Sequence, residues 1–417
     1  MTSLFNRRAA LGLSGKALAS TALAGMVSGI TPWQALAQTE APEPATPPPS
    51  IADYAAPAFV DEISLSPNGK RVAMISQKGD DKQLIYFNID SGKHKLIALG
   101  PVKIRNLFWG DDDHVVISSS QTVALPEFTS LQQEVSSAQV VDLRDNSVQT
   151  LFDNMNHYYK IVIGGIYTAK INGKNVLIAA NHRMASDYAK CLFSFDLDGS
   201  PAKLIYEGSQ DTINFVISPD GRVVALAKFD DEHKIWSLHY NTAKETNDTN
   251  FKLIYKVNQT LNLPSLVGLS SDGQSVVVCL TDDNEKDEYH NISADGTIGP
   301  SLDKSDFLST YPLFHPTTRR LAGFASTDDW VQYAYSDPLL KKIAESLPLM
   351  MGEDYRIGIV EYADDPRKMI LYGENAEDAG TYYFADLTTG ALQILAQDYA
   401  QLPTEWITQK KAITYKA

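Results

Sequence analysis

The sequence predicts an all-β protein, a seven-bladed β-propeller of four-stranded blades with one short helical insertion in blade six. Three observations lead to this fold class. A hairpin signal, in which a tight turn separates two apolar runs, occurs seven times along the chain. A second pair of β-prone segments follows these hairpins, and a unit of about 49 residues is typical of propeller blades. The 20 Tyr and 15 Phe residues, with many Val and Ile, favour strands over helices.

Residues 1–37 are predicted to be an export signal. Arg7 and Arg8 open a stretch without acidic residues, a moderately apolar run follows, and Ala35–Ala37 fits cleavage after small residues. The arginine pair indicates the twin-arginine route, and an ordinary secretory signal is the alternative. A lysine and several glycines keep the apolar run well short of the roughly 20 residues that cross a bilayer. We therefore expect a periplasmic or secreted protein that does not span the membrane.

Residues 38–50 are rich in proline and are expected to form an extended linker. The propeller is predicted to follow over residues 51–401, and its hairpins are indicated by their turn chemistry. Pro presets the turn, Asn or Asp bonds its own backbone, and Gly takes a positive φ. The motif occurs, with decreasing similarity, at Ile63–Ser76, Ile213–Phe229 and Leu266–Leu280. The glycines expected at positive φ are Gly69, Gly221 and Gly273.

Weaker copies of the hairpin complete the set of seven. They lie at Ile104–Ser120, Ile166–Ala180, Tyr311–Ser326 and Tyr355–Gly373. Turns of the second strand pairs are predicted at Asp90–Gly92, Asp198–Gly199 and Thr388–Gly390. Runs such as VVALA and VVVCL are apolar throughout, as expected of strands that pack against neighbouring blades on both faces.

One helix interrupts the repeats. Asp337 and Pro338 form a start signal, and apolar residues follow at helical spacing. The predicted apolar stripe consists of Leu339, Leu340, Ile343, Ala344 and Leu347. We interpret this helix as an insertion in blade six.

Composition excludes some functions and leaves few candidate sites. The net charge of −15 without a basic run argues against a nucleic-acid binder. No CxxC motif or Cys/His cluster accompanies Cys191 and Cys279, so we expect no structural zinc, metal or other cofactor. The sequence does not decide whether the two cysteines pair. The Asp111–His114 run is interpreted as turn acids, and Asp282–Glu288 as an acidic hairpin loop rather than a calcium loop.

Possible ligand or partner contacts are predicted in two loops. His182 and Arg183 belong to one long connection between strands, where plain solvent contact is the alternative. The run Asp328-Asp329-Trp330 is predicted to line the propeller channel. His233 lies beside a third long loop and is a weaker candidate of the same kind.

Several of these segments together resemble a known family. The Ser-Pro-Asp/Asn-Gly hairpins, SFDLDGSPAKLIY at 194–206, and GTYYFADLTTGALQILA at 380–396 followed by ITYKA resemble the prolyl oligopeptidase family of serine peptidases. The similarity is to the propeller part of its acylaminoacyl-peptidase and dipeptidyl-peptidase members, and it spans Ile51 to Ala417. It implies a propeller that caps an α/β-hydrolase domain, with residues 402–417 as the start of that domain.

The catalytic motif of that family is not found. A nucleophile elbow needs Gly-x-Ser-x-Gly, and the nearest strings, GLSGK at Gly12 and GLSSD at Gly268, lack the second glycine. No catalytic residue therefore carries over. We expect a substrate-gating propeller that is inactive alone and whose partners are peptides or a hydrolase-domain protein.

A different class of protein is the alternative, namely a free-standing periplasmic propeller of the TolB type that binds a protein or peptide. Both families use the same hairpin, so the hairpin does not separate them. The β-prone ITYKA segment is also expected to leave unpaired backbone groups, which favour edge pairing. We therefore expect self-association through the surface near Leu402, Trp406, Ile413 and Tyr415.

Overall fold

The structure, a computed structural model, describes residues 46–124, 132–185, 187–243, 245, 248–282, 286–303, 310–327, 329–352, 354–408, 410, 413 and 415. Within them, 27 strands form seven antiparallel sheets. The predicted export signal and the first part of the predicted linker lie outside the described residues. No helix of the described part is long and apolar enough to cross a membrane.

Each of the first four blades contains four strands. Blade one comprises β1 (Val60–Leu65), β2 (Arg71–Lys78), β3 (Asp81–Asn88) and β4 (His94–Gly100). Blade two comprises β5 (Lys103–Trp109), β6 (His114–Ala124), β7 (Gln132–Asp142) and β8 (Val148–Thr150). Blade three comprises β9 (Ile163–Ile171), β10 (Lys174–His182), β11 (Lys190–Asp196) and β12 (Lys203–Glu207). Blade four comprises β13 (Thr212–Ile217), β14 (Val223–Asp230), β15 (Ile235–Asn241) and β16 (Phe251–Asn258).

The last three blades complete the ring. Blade five comprises β17 (Ser265–Leu269), β18 (Ser275–Thr281), β19 (Asp287–Ser293) and β20 (Ile298–Ser301). Blade six comprises β21 (Thr310–Phe314), β22 (Leu321–Thr327) and β23 (Val331–Tyr335), followed by helix α2 (Pro338–Met351). Blade seven comprises β24 (Arg356–Tyr362), β25 (Lys368–Glu374), β26 (Thr381–Asp386) and β27 (Ala391–Gln397). The flanking segments hold helix α1 (Ile51–Ala55) and a 3-10 turn (Thr404–Trp406).

The propeller prediction is confirmed, and so are all seven hairpins. Every sheet is built from consecutive strands in chain order. The first strand of blade one lies beside the first strands of blades two and seven, and that of blade four lies beside that of blade five. The turn glycines Gly69, Gly221 and Gly273 have φ values of 67°, 86° and 73°, as their turns require. Cys191 and Cys279 lie in blades three and five as free thiols.

The core lies between blades rather than within one of them. Trp236 and Leu238 of blade four are fully buried against Val276 and Val278 of blade five. The five residues Val223–Ala227 of β14 are all buried, which explains why this run is apolar throughout. In a sheet that is buried on both faces, the strands do not alternate between polar and apolar residues.

Side-chain packing closes the ring between blades seven and one. Ile63 and Val72 of blade one pack in one cluster with Ile370 and Phe384 of blade seven. No strand of one blade completes the sheet of another among the described residues. The closure rests on apolar burial, together with a few hydrogen bonds at the rim.

Blade six differs from the others in one detail. Its sheet has three strands, and α2 occupies the place in the chain where the fourth strand would be. Asp337 caps the helix as predicted, because its Oδ1 accepts from the amides of Leu339 and Leu340 at 2.9 and 3.0 Å. The stripe is partly as predicted: Leu340, Ile343 and Leu347 are buried, whereas Leu339 is 40% exposed. The buried residues pack on blade seven, which fixes the helix outside the sheet.

The predicted strand after blade seven is described only at Ile413 and Tyr415, so it stays a prediction. Ile413 and Tyr415 lie outside any strand, with exposed fractions of 83% and 82%. Ala412 and Thr414 lie outside the described residues. The self-association expected of this surface remains a prediction.

Candidate functional site

The alternating strand direction gives the propeller two different faces. The turns that join first to second and third to fourth strands lie at one end of every blade, which we name the turn face. Connections between second and third strands, and those between blades, lie at the other end, which we name the loop face. The predicted contact residues fall on the loop face, because 182–190 and 327–331 are connections of the second kind.

The segments that precede blade one and follow blade seven meet on the loop face. The indole Nε1 of Trp406 donates to the carbonyl of Thr46 at 3.0 Å, and the hydroxyl of Tyr54 donates to the carbonyl of Trp406 at 3.1 Å. The hydroxyl of Thr46 donates to Glu405 Oε1 at 3.1 Å. The two segments therefore leave the propeller together, at one place on its rim.

The following segment then crosses blade seven. The ammonium of Lys410 pairs with the carboxylate of Glu374, which is 2% exposed. Burial of a carboxylate is costly unless a cation pairs with it, and Lys410 supplies that cation. A cavity of about 170 Å³ lies where this segment leaves the blade, and its lining includes Asp378, Tyr399 and Ile407.

The predicted run at 328–330 contributes to a charged cluster between blades six and seven. The guanidinium of Arg356 lies 4.4 Å from the ring centroid of Trp330, and its Nη2 is 3.3 Å from Asp329 Oδ2. The same Nη2 donates to the carbonyl of Lys410 at 3.5 Å. Asp328 lies outside the described residues. The cluster thus joins a half-buried aromatic ring, a cation and the outgoing segment at one point of the loop face.

His182 and Arg183 lie on the same face, but in blade three. The Nδ1 of His182 is 2.8 Å from the carbonyl of Tyr188, and Arg183 bridges the carboxylates of Asp187 and Glu207. Blades three and six lie on opposite sides of a seven-membered ring. The structure therefore does not bring the two predicted loops together, and His182 and Arg183 each have a partner within their own loop, Tyr188 and Asp187.

The two remaining candidates have local partners in the described part of the chain. Nδ1 of His233 is 2.7 Å from Asp230 Oδ2, at the exposed end of blade four. The acidic run Asp282–Glu288 covers a connection of blade five and the first two residues of β19, and residues 283–285 lie outside the described residues. Across the described ranges, no three His, Cys, Asp or Glu side chains gather to hold a metal ion.

The Asp111–His114 run does not consist only of solvated turn acids, because one of its side chains is buried and hydrogen-bonded. His114 is 5% exposed, and its Nδ1 lies 2.7 Å from Asp111 Oδ1. Its Nε2 lies 3.4 Å from Asp142 Oδ2. The hydrogen bond to Asp111 raises the pKa of His114 in spite of burial, and a bond from Arg144 holds the pKa of Asp142 near 2. The imidazole ring of His114 is thus buried between the carboxylates of Asp111 and Asp142 on the turn face.

Replacing His114 by Gln should flatten the pH dependence of unfolding. Because the pKa of His114 is raised in the folded state, its contribution to stability is fully present below the ordinary value of about 6.5. That contribution is lost as pH rises through the folded pKa, while both carboxylates stay ionised. Urea unfolding from pH 6 upward should show the wild type losing more stability than the variant. Parallel curves for the two proteins would contradict this assignment.

The axial channel is crossed near the turn face. Arg319 extends from the turn of blade six, and its Nη2 donates to the hydroxyl of Thr168 in β9 of blade three. Since these blades lie on opposite sides of the ring, the side chain spans the axis. The loop-face end of the channel has no comparable bond across the axis among the described residues.

Comparison with known proteins gives likenesses of fold only. No protein-family model matches the chain, and no curated protein matches it. Among solved structures, the propeller domain of the Trilobed protease from Pyrococcus furiosus, described as having an open velcro topology, is 13% identical with a TM-score of 0.43. That likeness covers 82% of this chain and 99% of the other.

Two whole proteins are similar over part of their length. Acylaminoacyl peptidase from Pyrococcus horikoshii is 13% identical with a TM-score of 0.43, over 82% of this chain and 53% of that one. TolB from Acinetobacter baumannii is 15% identical with a TM-score of 0.33, over 58% of this chain and 53% of that one. The chain therefore spans about half the length of these structures. Likenesses of this size support no functional conclusion.

Proposed function

We propose that this chain is the substrate-gating propeller of a prolyl oligopeptidase-like serine peptidase, with the hydrolase domain placed over the loop face. The observation that carries the proposal is the meeting of the two flanking segments on that face, through Trp406, Thr46 and Tyr54. A domain joined to these segments lies next to the loop face, because both segments leave the propeller there. The resemblance of the hairpin and blade-seven sequences to that family supports the same arrangement.

The channel geometry suggests how the propeller selects substrates. Arg319 crosses the axis near the turn face, so a peptide reaches a site on the opposite face by way of the rim rather than through the channel. A folded protein is too wide for a gap between two domains, whereas an unfolded segment passes. The propeller thereby restricts cleavage to peptides and extended chains.

Trp330 offers the best aromatic contact for such a peptide, since its half-buried ring lies under Arg356 on the loop face. Replacing Trp330 by Ala should weaken binding of a fluorescein-labelled unstructured decapeptide about tenfold, because aromatic anchors dominate such contacts. Fluorescence anisotropy measures the affinity. Leu261→Ala is the matched control, because Leu261 is 76% exposed in another connection of the loop face, between blades four and five. Equal affinities for all three proteins would remove Trp330 from the peptide path.

The competing function, a self-sufficient binding propeller of the TolB type, makes a different prediction for the same experiment. Such a protein binds one specific partner and discriminates strongly between peptides of different sequence. Anisotropy with several unrelated peptides separates the two functions, because a gate accepts them with similar, weak affinity.

We also propose that the protein acts outside the cytoplasm. The paired Arg7 and Arg8 and the small residues Ala35–Ala37 support export with cleavage before Gln38. Terminal sequencing of protein from its native host should therefore begin at Gln38. An intact Met1 on soluble cytosolic protein would rule the proposal out.

A further inference from the structure

The outermost strand of blade seven has an unpaired edge. In its sheet β27 pairs only with β26, so the backbone groups on its other side pair with no strand among the described residues. Three consecutive side chains of β27 are exposed, with exposed fractions of 39% for Leu392 and 65% for Ile394 on either side of Gln393. An edge of this kind accepts a further strand, because each free N–H and C=O group then gains a partner.

The other blades also end in a free edge, but each of those edges has a feature that opposes pairing. The longer outermost strands β4, β12 and β16 carry exposed lysines, namely Lys95, Lys203, Lys252 and Lys256. Strand β8 has only three residues, and β20 has four and includes Pro300. Strand β23 has five residues, of which Tyr335 is buried. Lysines, prolines and short length are the means by which natural proteins keep the sheet edges of separate copies apart.

Strand β27 has none of these features. Its seven residues, ALQILAQ, include no charged residue and no proline. If two copies paired through β4, β12 or β16, lysines would face one another, whereas β27 brings no like charges together. A bulge at Leu395 leaves Ala391–Ile394 as the regular part of the edge. The edge of blade seven is therefore the one on which a second copy meets least opposition.

We propose that β27 pairs in antiparallel direction with β27 of a second copy of this chain. A two-fold axis at Gln393 places each Leu392 opposite Ile394 of the other copy on one face of the joined sheet. On the other face the two Gln393 side chains lie opposite each other. The first contact is apolar and the second joins two amides, so the strand is complementary to itself.

The dimer should be weak. One pair of short strands buries less surface than the roughly 1,600 Å² of a standard interface. The net charge of −15 on each copy also opposes association. We therefore expect a Kd in the micromolar range. Because β27 lies on the outer rim of the propeller, the pairing leaves the loop face free and holds whether or not the propeller serves a peptidase.

Sedimentation velocity of the full chain at low salt, over a wide range of concentrations, should show monomers in equilibrium with dimers. The variants Gln393→Lys and Gln393→Glu each place like charges opposite each other, and each should raise the Kd of the dimer at least about tenfold. Because an equimolar mixture of the two variants places Lys opposite Glu, it should restore dimers to the wild-type level. Restoration by mixing is expected only if position 393 of one copy faces position 393 of the other.

Gln332→Lys and Gln332→Glu are the matched controls. Gln332 is an exposed glutamine on another outermost strand, β23, and its variants change the net charge by the same amounts. They should leave the Kd of the dimer unchanged. Thermal unfolding shows whether each variant is folded. If a Gln393 variant does not fold, a mixture of Ile394→Lys with Leu392→Glu replaces it, because these positions face each other in the same pairing.

Four results overturn the proposal. They are a wild type that stays monomeric at every concentration, a dimer whose Kd is unchanged in both Gln393 variants, a mixture that associates no better than either variant alone, and an equal loss of dimers in the Gln332 variants. The second result would assign association to another surface, such as the one near Trp406.

Discussion

Purified protein should leave chromogenic dipeptides and acylated amino acids intact and should not react with a fluorophosphonate probe. The sequence holds no Gly-x-Ser-x-Gly, the motif that places a serine on a sharp turn and exposes it as a nucleophile beside oxyanion donors. Peptidases owe many orders of magnitude in rate to these groups. The expected rate is therefore that of the uncatalysed reaction.

A spiked serine peptidase of known concentration serves as the positive control for both assays. Stoichiometric labelling of a serine in the propeller would show that the chain carries a nucleophile of another kind. Mass spectrometry of the labelled peptide would then identify that residue directly.

Replacing Gly323 by Ala should destabilise the propeller severely. Gly323 has a φ of 154°, and an added Cβ would lie 2.4 Å from the carbonyl oxygen of Ala334 and 2.6 Å from the Cα of Tyr335. Both atoms belong to the backbone of the paired strand β23, so no side chain can move aside. We expect a loss of at least about 3 kcal/mol in the free energy of unfolding, measured by urea denaturation.

Gly92→Ala is the matched control for backbone conformation. Gly92 has a φ of 63° in the turn of blade one, and an added Cβ there meets nothing within 4 Å. The free energy of unfolding should fall by only about 1 kcal/mol, because the left-handed conformation is unfavourable for Ala but the added Cβ collides with no atom. Similar losses for both variants would mean that blade six is not packed as described.

Local chemistry explains why the sequence predicts the fold well. The turns around Gly69, Gly221 and Gly273 need only a few adjacent residues, and each turn is specified by its own proline, aspartate or glycine. The missing fourth strand of blade six is different. Local signals predict α2, but they do not show that the helix replaces the fourth strand, because that depends on the fit of Leu340 and Ile343 against blade seven.

The candidate sites were harder to predict for the same reason. The sequence places Trp330 in a loop, but its partner Arg356 begins a strand 26 positions later and carries no loop signal. Arg319 and Thr168 are 151 residues apart, and only the closed ring brings them together. The acidic run around His114 predicts solvated turn residues, whereas the register of β6 with β7 buries His114 beside Asp142.

We propose that this propeller works with a serine hydrolase on its loop face. The most direct test isolates the protein from its native host with an antibody to the propeller and treats the material with a fluorophosphonate probe. We expect one labelled serine per propeller, within a Gly-x-Ser-x-Gly segment of a hydrolase domain bound to it. A propeller recovered without any reactive serine, but binding one specific peptide or protein, would contradict it.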